Sequence, residues 1–364
     1  MNPLRARLPA LRAGVAALVI ALLTACSAST SLSRHVVTPP TQAGRATFDD
    51  ATRARFLHIA GARQGRTALD TGVELAWYAI EPGDYRLDYR IDIEAMRRAS
   101  ALIIGFDFRA APLPPPAPVG TLILLHGWGL DGDALLPWSL HFANAGYRAI
   151  AVDLRNHGRS GRASAGYGTR EAMDLAALLR VLREQGLATE PVHLFGVSYG
   201  AVTALLTAAD PQTGIGGVVA LEPFAHAGSA IRDMLPTMLK RRGGNWRQRM
   251  LSRALRLRYA GHDIDRVVAA ASAALDLDLD SLDIAERLAG DMPCVILVHG
   301  DADRHLPITH SRRLAQSMPS ARLLEVADET HLTLPARMDL LGDPLAAWLG
   351  ALPGEDGCPS LSLR

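Results

Sequence analysis

Residues 192–202, VHLFGVSYGAV, place a serine between two glycines directly after an apolar run. Glycine weakens a strand and starts a helix poorly, so Gly196 and Gly200 serve something other than local stability. A sharp strand-to-helix turn of the form G-x-S-x-G presents the serine hydroxyl at a helix N-terminus, where the dipole favours developing negative charge. Ser198 is therefore a candidate nucleophile. The alternative is a chance match in a chain rich in glycine and serine.

A serine hydroxyl is a weak nucleophile and needs a base that is itself held by an acid. Two later loops supply candidates. VILVHGDADRHLP presents Asp301 and Asp303, and LLEVADETHLTLP presents His331. Both loops follow apolar runs, so the expected order is serine, acid, histidine. The alternative for His331 is an ordinary surface histidine, since the chain has 12 histidines.

The elements that would position these residues are visible from residue 120 onward. The runs TLILLHG, YRAIAVD, VHLFGVS, GVVALEP, CVILVHG and ARLLEVA are short and apolar, and helical segments separate several of them. This pattern predicts an α/β fold with a mostly parallel central sheet and helices on both faces. Ligands of such sheets bind beyond the carboxyl ends of the strands. The residues just past such ends are His126, Asp153, Ser198, Glu222, Asp303 and His331.

Five motifs occur in an order that resembles the α/β-hydrolase superfamily, in particular its serine esterases and lipases. They are HGWG (126–129), DLRNHGRSG (153–161), GVSYG, GDADRHLP and ETHLTLP, and the resemblance covers about residues 70–350. The family's acid commonly stands in G-x-x-D-x-x-apolar-P, which favours Asp303 over Asp301. Glu222 follows GVVAL, where a few relatives carry the acid, and we expect it to be a structural or pocket carboxylate.

The resemblance also implies an oxyanion hole formed by two backbone N–H groups, those of Trp128 and Tyr199. The Trp128 side chain either lines an acyl pocket or merely covers the sheet edge. Asn156 departs from the family, which commonly has glycine at that position. This loop shapes the site without doing chemistry, so the departure leaves the triad intact.

The N-terminus resembles a bacterial lipoprotein signal. Arginines precede the apolar run GVAALVIALL, and Leu23-Thr24-Ala25-Cys26 resembles a lipobox. We expect residues 1–25 to be removed, Cys26 to be lipidated, and the protein to be anchored in the bacterial cell envelope, at the outer membrane facing the periplasm. The alternative is a plain signal peptide with a chance cysteine. Residues 26–47 are rich in Ser, Thr and Pro, which predicts a flexible tether.

The remaining boundaries follow from composition. Residues 48–118 are expected to hold a helix, strands and a Pro-rich connector, whereas 119–224 and 294–352 form the α/β-hydrolase core. Residues 225–293 have helical character and are expected to form a cap over the site. Within them, the basic stretch 240–259 is either a solvated cap helix or a helix resting on anionic lipid head groups. Residues 353–364 form a tail.

Several partners are not expected. The net charge of +1 gives no support for nucleic-acid binding. No H-E-x-x-H motif or clustered cysteine pair predicts a metal, and no cofactor is called for. Cys294 and Cys358 leave two possibilities open, a disulfide that pins the tail or a buried Cys294 with a loose tail.

The motifs together predict a serine hydrolase that cleaves an ester or similar acyl bond of a small-molecule substrate through an acyl-enzyme. Thioesterase, amidase or aminopeptidase, and carbon–carbon bond hydrolase are alternatives on the same fold. A catalytically silent envelope lipoprotein that uses the fold for binding is a further alternative.

Overall fold

The computed structural model describes residues 32–40, 47–94, 96, 104–111, 115–239, 263–352 and 357–363. This part of the chain contains ten strands. In chain order they are β1 Arg63–Ala68, β2 Glu74–Ile80, β3 Tyr85–Ile91, β4 Ile104–Ala110, β5 Thr121–Leu125, β6 Arg148–Val152, β7 Val192–Val197, β8 Ile215–Leu221, β9 Cys294–Gly300 and β10 Ala321–Val326. The principal α-helices are α1 at residues 32–37, α2 Asp50–Ile59, α3 Leu136–Asn144, α4 Thr169–Glu184, α5 Tyr199–Ala208, α6 Ala227–Leu239, α7 Ile264–Leu275, α8 Ile284–Arg287, α9 Thr309–Ser317 and α10 Met338–Gly350.

Eight strands form one sheet in the order β1-β2-β6-β5-β7-β8-β9-β10, and β3 pairs with β4 in a separate ribbon. Six neighbouring strands of this sheet, from β6 and β5 to β10, run parallel to one another. At the other edge, β2 pairs antiparallel with β6, and β1 pairs antiparallel with β2. The predicted mostly parallel α/β sheet is therefore confirmed. The six apolar runs of the sequence form strands β5 to β10.

The central strands are apolar at nearly every position because helices cover both faces of the sheet. Along β5, Ile123 and Leu125 belong to the buried cluster that α4 and α5 complete, whereas Leu122 and Leu124 belong to the cluster completed by α3 and α10. All four side chains are fully buried. Two packed layers thus fix the sheet, and with it the loops at its carboxyl end.

The N-terminal segment differs from the expected flexible tether. Residues 32–37 form helix α1, and Leu32 and Val36 are buried in the cluster on one face of the sheet. These two residues are one helical turn apart, so a single short helix buries both. The predicted signal peptide and Cys26 lie outside the described residues. No helix among the described residues is long and apolar enough to cross a membrane.

The region between β8 and β9 contributes helices α6, α7 and α8 in its described parts. Helix α6 is tied to its surroundings by ion pairs from Arg232 to Asp265 and Asp280, and by His310 Nε2, which lies 3.0 Å from Asp233 Oδ2. The basic stretch 240–259 lies outside the described residues.

Cys294 and Cys358 form a disulfide with their Cα atoms 5.2 Å apart. Cys294 opens β9, so the bond lies at the sheet end opposite Ser198. Trp348 in α10 donates its indole N–H to the carbonyl of Pro359 at 2.8 Å. Of the two possibilities that the sequence left open, the structure therefore has the pinned tail.

Cys358→Ser tests how much this bond stabilises the fold. The bond joins residues 64 apart, and the chain-entropy model assigns a loop of that size about 4 kcal/mol, with real bonds giving roughly 2–4 kcal/mol. We expect the free energy of unfolding in urea to fall by about that amount. Dithiothreitol should bring the wild type to the variant's value and leave the variant unchanged. Equal stability of the two proteins without reductant would show that the bond does not form in solution.

Candidate active site

The turn between β7 and α5 holds Ser198 in a strained conformation with φ 51° and ψ −109°. Two close backbone approaches explain the flanking glycines. A Cβ on Gly196 would lie 2.4 Å from the carbonyl oxygen of Gly200, and a Cβ on Gly200 would lie 2.3 Å from the carbonyl oxygen of Leu125. Any larger residue at either position would push α5 away from β5 and β7. The two glycines are thus required by the turn that presents the Ser198 hydroxyl.

Three predicted residues from three separate loops meet in one hydrogen-bonded chain. His331 Nε2 lies 3.1 Å from Ser198 Oγ, and His331 Nδ1 lies 2.8 Å from Asp303 Oδ2. With the Nδ1 proton donated to the carboxylate, Nε2 is left as the acceptor for the serine hydroxyl. The arrangement can move a proton from Ser198 to a histidine whose resulting charge is neutralised from behind.

Asp303 is built to stay ionised. Burial opposes its charge, but the adjacent His331, the His299 imidazole and the backbone N–H of Leu306 together hold the pKa of Asp303 below its ordinary value. Its Oδ1 accepts the N–H groups of His305 at 2.7 Å and Leu306 at 3.0 Å. Since Oδ1 is held by the backbone, Oδ2 is aimed at the histidine.

Asp301, the alternative acid, points elsewhere. It is exposed, and its Oδ1 accepts the backbone N–H of Asp328 at 2.7 Å. The preference for Asp303 from the family motif therefore agrees with the geometry.

Glu222 lies much closer to the histidine than the sequence indicates. It follows β8 with φ 52°, it is fully buried, and its Oε2 lies 3.4 Å from His331 Nδ1. Neither carboxyl oxygen makes a hydrogen bond of good geometry to a described residue. Burial and the charge of Asp303 raise the pKa of Glu222 well above its ordinary value, and the backbone N–H of Gly300 opposes this shift only in part. The direction of the shift favours the neutral form of Glu222 beside the ionised Asp303.

These side chains also raise the question of a metal ion, since Glu222, Asp303 and His331 can each bring one ligand atom within 4.8 Å of the others. Both nitrogens of His331 are already engaged, one with Asp303 and one with Ser198. The donor set therefore suits proton transfer better than ligation.

The turn at residues 126–129 lies directly against the serine turn. A Cβ on Gly127 would lie 3.5 Å from the carbonyl oxygen of Val197 and 3.7 Å from Ser198 Cβ. The backbone N–H groups of Trp128 and Tyr199, the predicted oxyanion donors, make no hydrogen bond to another described residue. Both N–H groups are thus available near the Ser198 hydroxyl.

Buried histidine His126 fixes this turn. Its Nδ1–H donates to the Gly127 carbonyl at 2.9 Å, and its Nε2 accepts the N–H of Leu154 at 3.0 Å. Burial lowers the pKa of His126, so the ring stays neutral and can make both bonds. Asn156 in the adjacent loop has φ 63°, a conformation that asparagine tolerates and glycine adopts freely. That explains why asparagine can replace the family's common glycine here.

A mostly apolar cavity of about 90 Å³ opens beside Ser198. Its wall includes Trp128, Tyr167, Phe224 and Met234. The Trp128 side chain therefore lines a pocket, one of the two roles that the sequence left open. A larger groove of about 450 Å³ includes Asn144 and Gly146 in its lining. It lies at the opposite end of the sheet, away from the Ser198 hydroxyl.

Comparison with known proteins agrees with the fold. The model of the "Alpha/beta hydrolase family" matches residues 122–343, more than half of the chain. The uncharacterized protein YqkD of Bacillus subtilis (strain 168) is 31% identical over 122 residues, which span 33% of this chain and 40% of YqkD. A non-heme chloroperoxidase of Streptomyces lividans is 36% identical over 92 residues, 25% of this chain and 32% of that protein. The solved esterase Pf2001 of Pyrococcus furiosus has a TM-score of 0.59 at 16% identity, covering 89% of this chain and 98% of the esterase.

Glu222→Gln tests the charge state of the buried glutamate. A carboxyl whose pKa is raised by folding takes up a proton, so wild-type stability falls as the pH rises above the ordinary glutamate value, by at most about 1.4 kcal/mol per pH unit. The neutral amide lacks this contribution. We expect the free energy of unfolding of the variant, relative to wild type, to rise from about pH 5 to about pH 8.

Urea unfolding at several pH values measures this difference, and the exposed Glu184→Gln is the matched control that should show no such trend. A pH-independent difference for Glu222→Gln would mean that Glu222 is ionised in the folded protein.

Proposed function

The chain belongs to the alpha/beta hydrolase family, and we propose that within it the protein is a serine hydrolase that cleaves carboxylic esters of small molecules through an acyl-enzyme. One observation carries the proposal. The Ser198 hydroxyl, held on a strained turn, contacts an imidazole that is oriented by an ionised carboxylate. Such a chain activates a hydroxyl for attack on an acyl carbon.

The proposed reaction has two halves. Ser198 Oγ attacks the substrate carbonyl carbon while His331 Nε2 takes the hydroxyl proton, and Asp303 stabilises the imidazolium that forms. The N–H groups of Trp128 and Tyr199 donate to the carbonyl oxygen as it becomes negative. The imidazolium then protonates the leaving alkoxide as the carbon–oxygen bond breaks. Water, deprotonated by the same histidine, releases the acid and restores the serine.

The lining of the cavity favours an apolar acyl group over a charged one. It starts at the Ser198 hydroxyl, and apolar or aromatic residues such as Phe224 and Met234 dominate its wall. An apolar acyl chain gains from leaving water there, whereas a charged group would lose its hydration. Thioesters, amides and carbon–carbon bonds next to a carbonyl would use the same residues, so they are the alternative substrates.

A catalytically silent binding protein is the alternative from another class. Binding alone does not require a strained serine backbone, and such strain persists only where the surroundings enforce it. Here Gly196 and Gly200 are both needed to keep Ser198 in that conformation. This favours an enzyme.

We also propose that the protein is a lipoprotein held by Cys26 in the bacterial cell envelope. Docked helix α1 begins at Leu32, six residues after Cys26. Six extended residues span at most about 20 Å. A lipid on Cys26 would therefore hold the cavity close to the membrane surface, in place of a long flexible tether.

Replacement of Ser198 and of the two aspartates tests the mechanism. Ser198→Ala removes the nucleophile and should abolish ester hydrolysis and fluorophosphonate labelling while leaving the melting temperature nearly unchanged. Asp303→Asn should lower kcat roughly 10³–10⁴-fold, because the amide holds the wrong tautomer of His331. Hydrolysis of p-nitrophenyl butyrate measures both effects.

Asp301→Asn is the matched control, since the exposed Asp301 side chain accepts a backbone N–H of the next loop and takes no part in the hydrogen bonds that join Ser198, His331 and Asp303. It should keep activity within a few-fold of wild type. A larger loss in Asp301→Asn than in Asp303→Asn would place the acid at Asp301, and residual labelling of Ser198→Ala would place the nucleophile elsewhere.

Cys26→Ser tests the anchor. Without the thiol there is no site for the acyl chains, whose burial holds a lipoprotein in the bilayer. We expect the variant to move from the membrane fraction to the soluble fraction of cells, with unchanged hydrolysis by purified protein. Unchanged partition between the fractions would contradict lipidation at Cys26.

A further inference from the structure

Helix α1 is held over the site by contacts with distant parts of the chain. The Tyr167 hydroxyl donates to the carbonyl of Val36 at 2.8 Å, and Asn156 Nδ2 donates to the carbonyl of Val37 at 3.4 Å. Pro40 packs against Gly129, which lies in the predicted oxyanion turn. These contacts place α1 against two loops that shape the active site.

The same helix lines the cavity that starts at Ser198. His35 and Val36 form one part of its wall, and Met234 and Leu235 of α6 form another. Val36 is 7% exposed and belongs to the core cluster, so its side chain is fixed. Part of the pocket wall therefore comes from an element that lies outside residues 122–343, where the family model matches.

The size of the cavity limits what it can hold. The cavity measures about 90 Å³, and a single water needs only roughly 10–15 Å³ of space measured in this way, so several water-sized groups fit in it. An acyl group can therefore enter beside Ser198, and the side chains of Val36 and Met234 border the space that it would occupy.

We propose that α1 forms one wall of the acyl pocket, and that the size of the Val36 side chain determines which acyl-chain lengths the protein accepts. The proposal rests on the serine hydrolase function proposed above. Val36 lines the pocket but takes no part in the hydrogen bonds that join Ser198, His331 and Asp303. Changing the size of its side chain should therefore change which acyl chains are accepted and leave the chemistry at the serine unchanged.

Two changes of opposite sign at Val36 test the proposal. Val36→Ala enlarges the pocket and Val36→Met fills it. The kcat/KM values for p-nitrophenyl acetate, butyrate, hexanoate and octanoate give the chain-length profile of each protein. Because one methylene in an apolar pocket changes kcat/KM by about tenfold or more, we expect Val36→Ala to raise the hexanoate-to-acetate ratio roughly tenfold and Val36→Met to lower the butyrate-to-acetate ratio by a similar factor.

Arg34→Ala is the matched control, since Arg34 is on the same short helix and is exposed. Its ratios should stay within about twofold of wild type. Melting temperatures show whether each variant is folded. Val36→Met exchanges one γ-methyl for a longer side chain and leaves no large cavity, so it keeps the test available if Val36→Ala does not fold.

The possible outcomes separate the two proposals. The proposed role of α1 would be wrong if wild-type hydrolysis depends on Ser198 but neither Val36 variant changes the kcat/KM ratios. The serine hydrolase proposal would then stand. No Ser198-dependent hydrolysis of any of the four esters would overturn both proposals.

Discussion

The close packing of α5 against the carboxyl ends of β5 and β7 is the constraint on which the site depends. Gly200 lies so near the carbonyl of Leu125 that no side chain fits between them. This approach holds Ser198 in its strained conformation, and it brings the turn that follows β5 beside the serine hydroxyl. A buried parallel sheet is what allows it, because only adjacent strands covered on both faces keep these loops in register. This one packing contact therefore positions both the nucleophile and the backbone amides that face it.

The pKa values of the two carboxyl groups near the His331 imidazole are shifted in opposite directions because their surroundings differ. Asp303 receives two backbone N–H groups and lies 2.8 Å from His331 Nδ1, so its charge is compensated. Glu222 lies 3.4 Å from the same nitrogen, and burial and the charge of Asp303 raise its pKa, which favours the protonated form. A second negative charge here would be repelled by the first in a dry interior. Keeping Glu222 neutral leaves Asp303 as the single charge that orients the histidine.

The sheet and the meeting of Ser198, Asp303 and His331 could be predicted from the sequence, because each of the three residues follows an apolar run that is typical of a buried strand. The sequence did not predict elements whose local pattern is weak or whose packing partners lie far along the chain. β1 and β3 were not predicted, since RQGRTA and YRLDYRI are mostly polar and lie at an edge or in a ribbon. Composition suggested a tether at α1 because Leu32, Val36 and Val37 are the only large apolar residues between 26 and 47, and Tyr167, which binds the Val36 carbonyl, comes 131 residues later. The distance from Glu222 to His331 likewise depends on side-chain packing that no pattern encodes.

The docking of α1 also has a consequence for folding. Val36 and Tyr167 are 131 residues apart, and closing a loop of that length costs about 4 kcal/mol of chain entropy beyond a constant. A nascent chain makes α1 early but has nothing to dock it on until Tyr167 and α6 have followed. The proposed wall of the pocket therefore docks only after most of the chain has been made. In the proposed hydrolase, a destabilised α1 would cost selectivity between acyl chains before it cost the hydrogen bonds that join Ser198, His331 and Asp303.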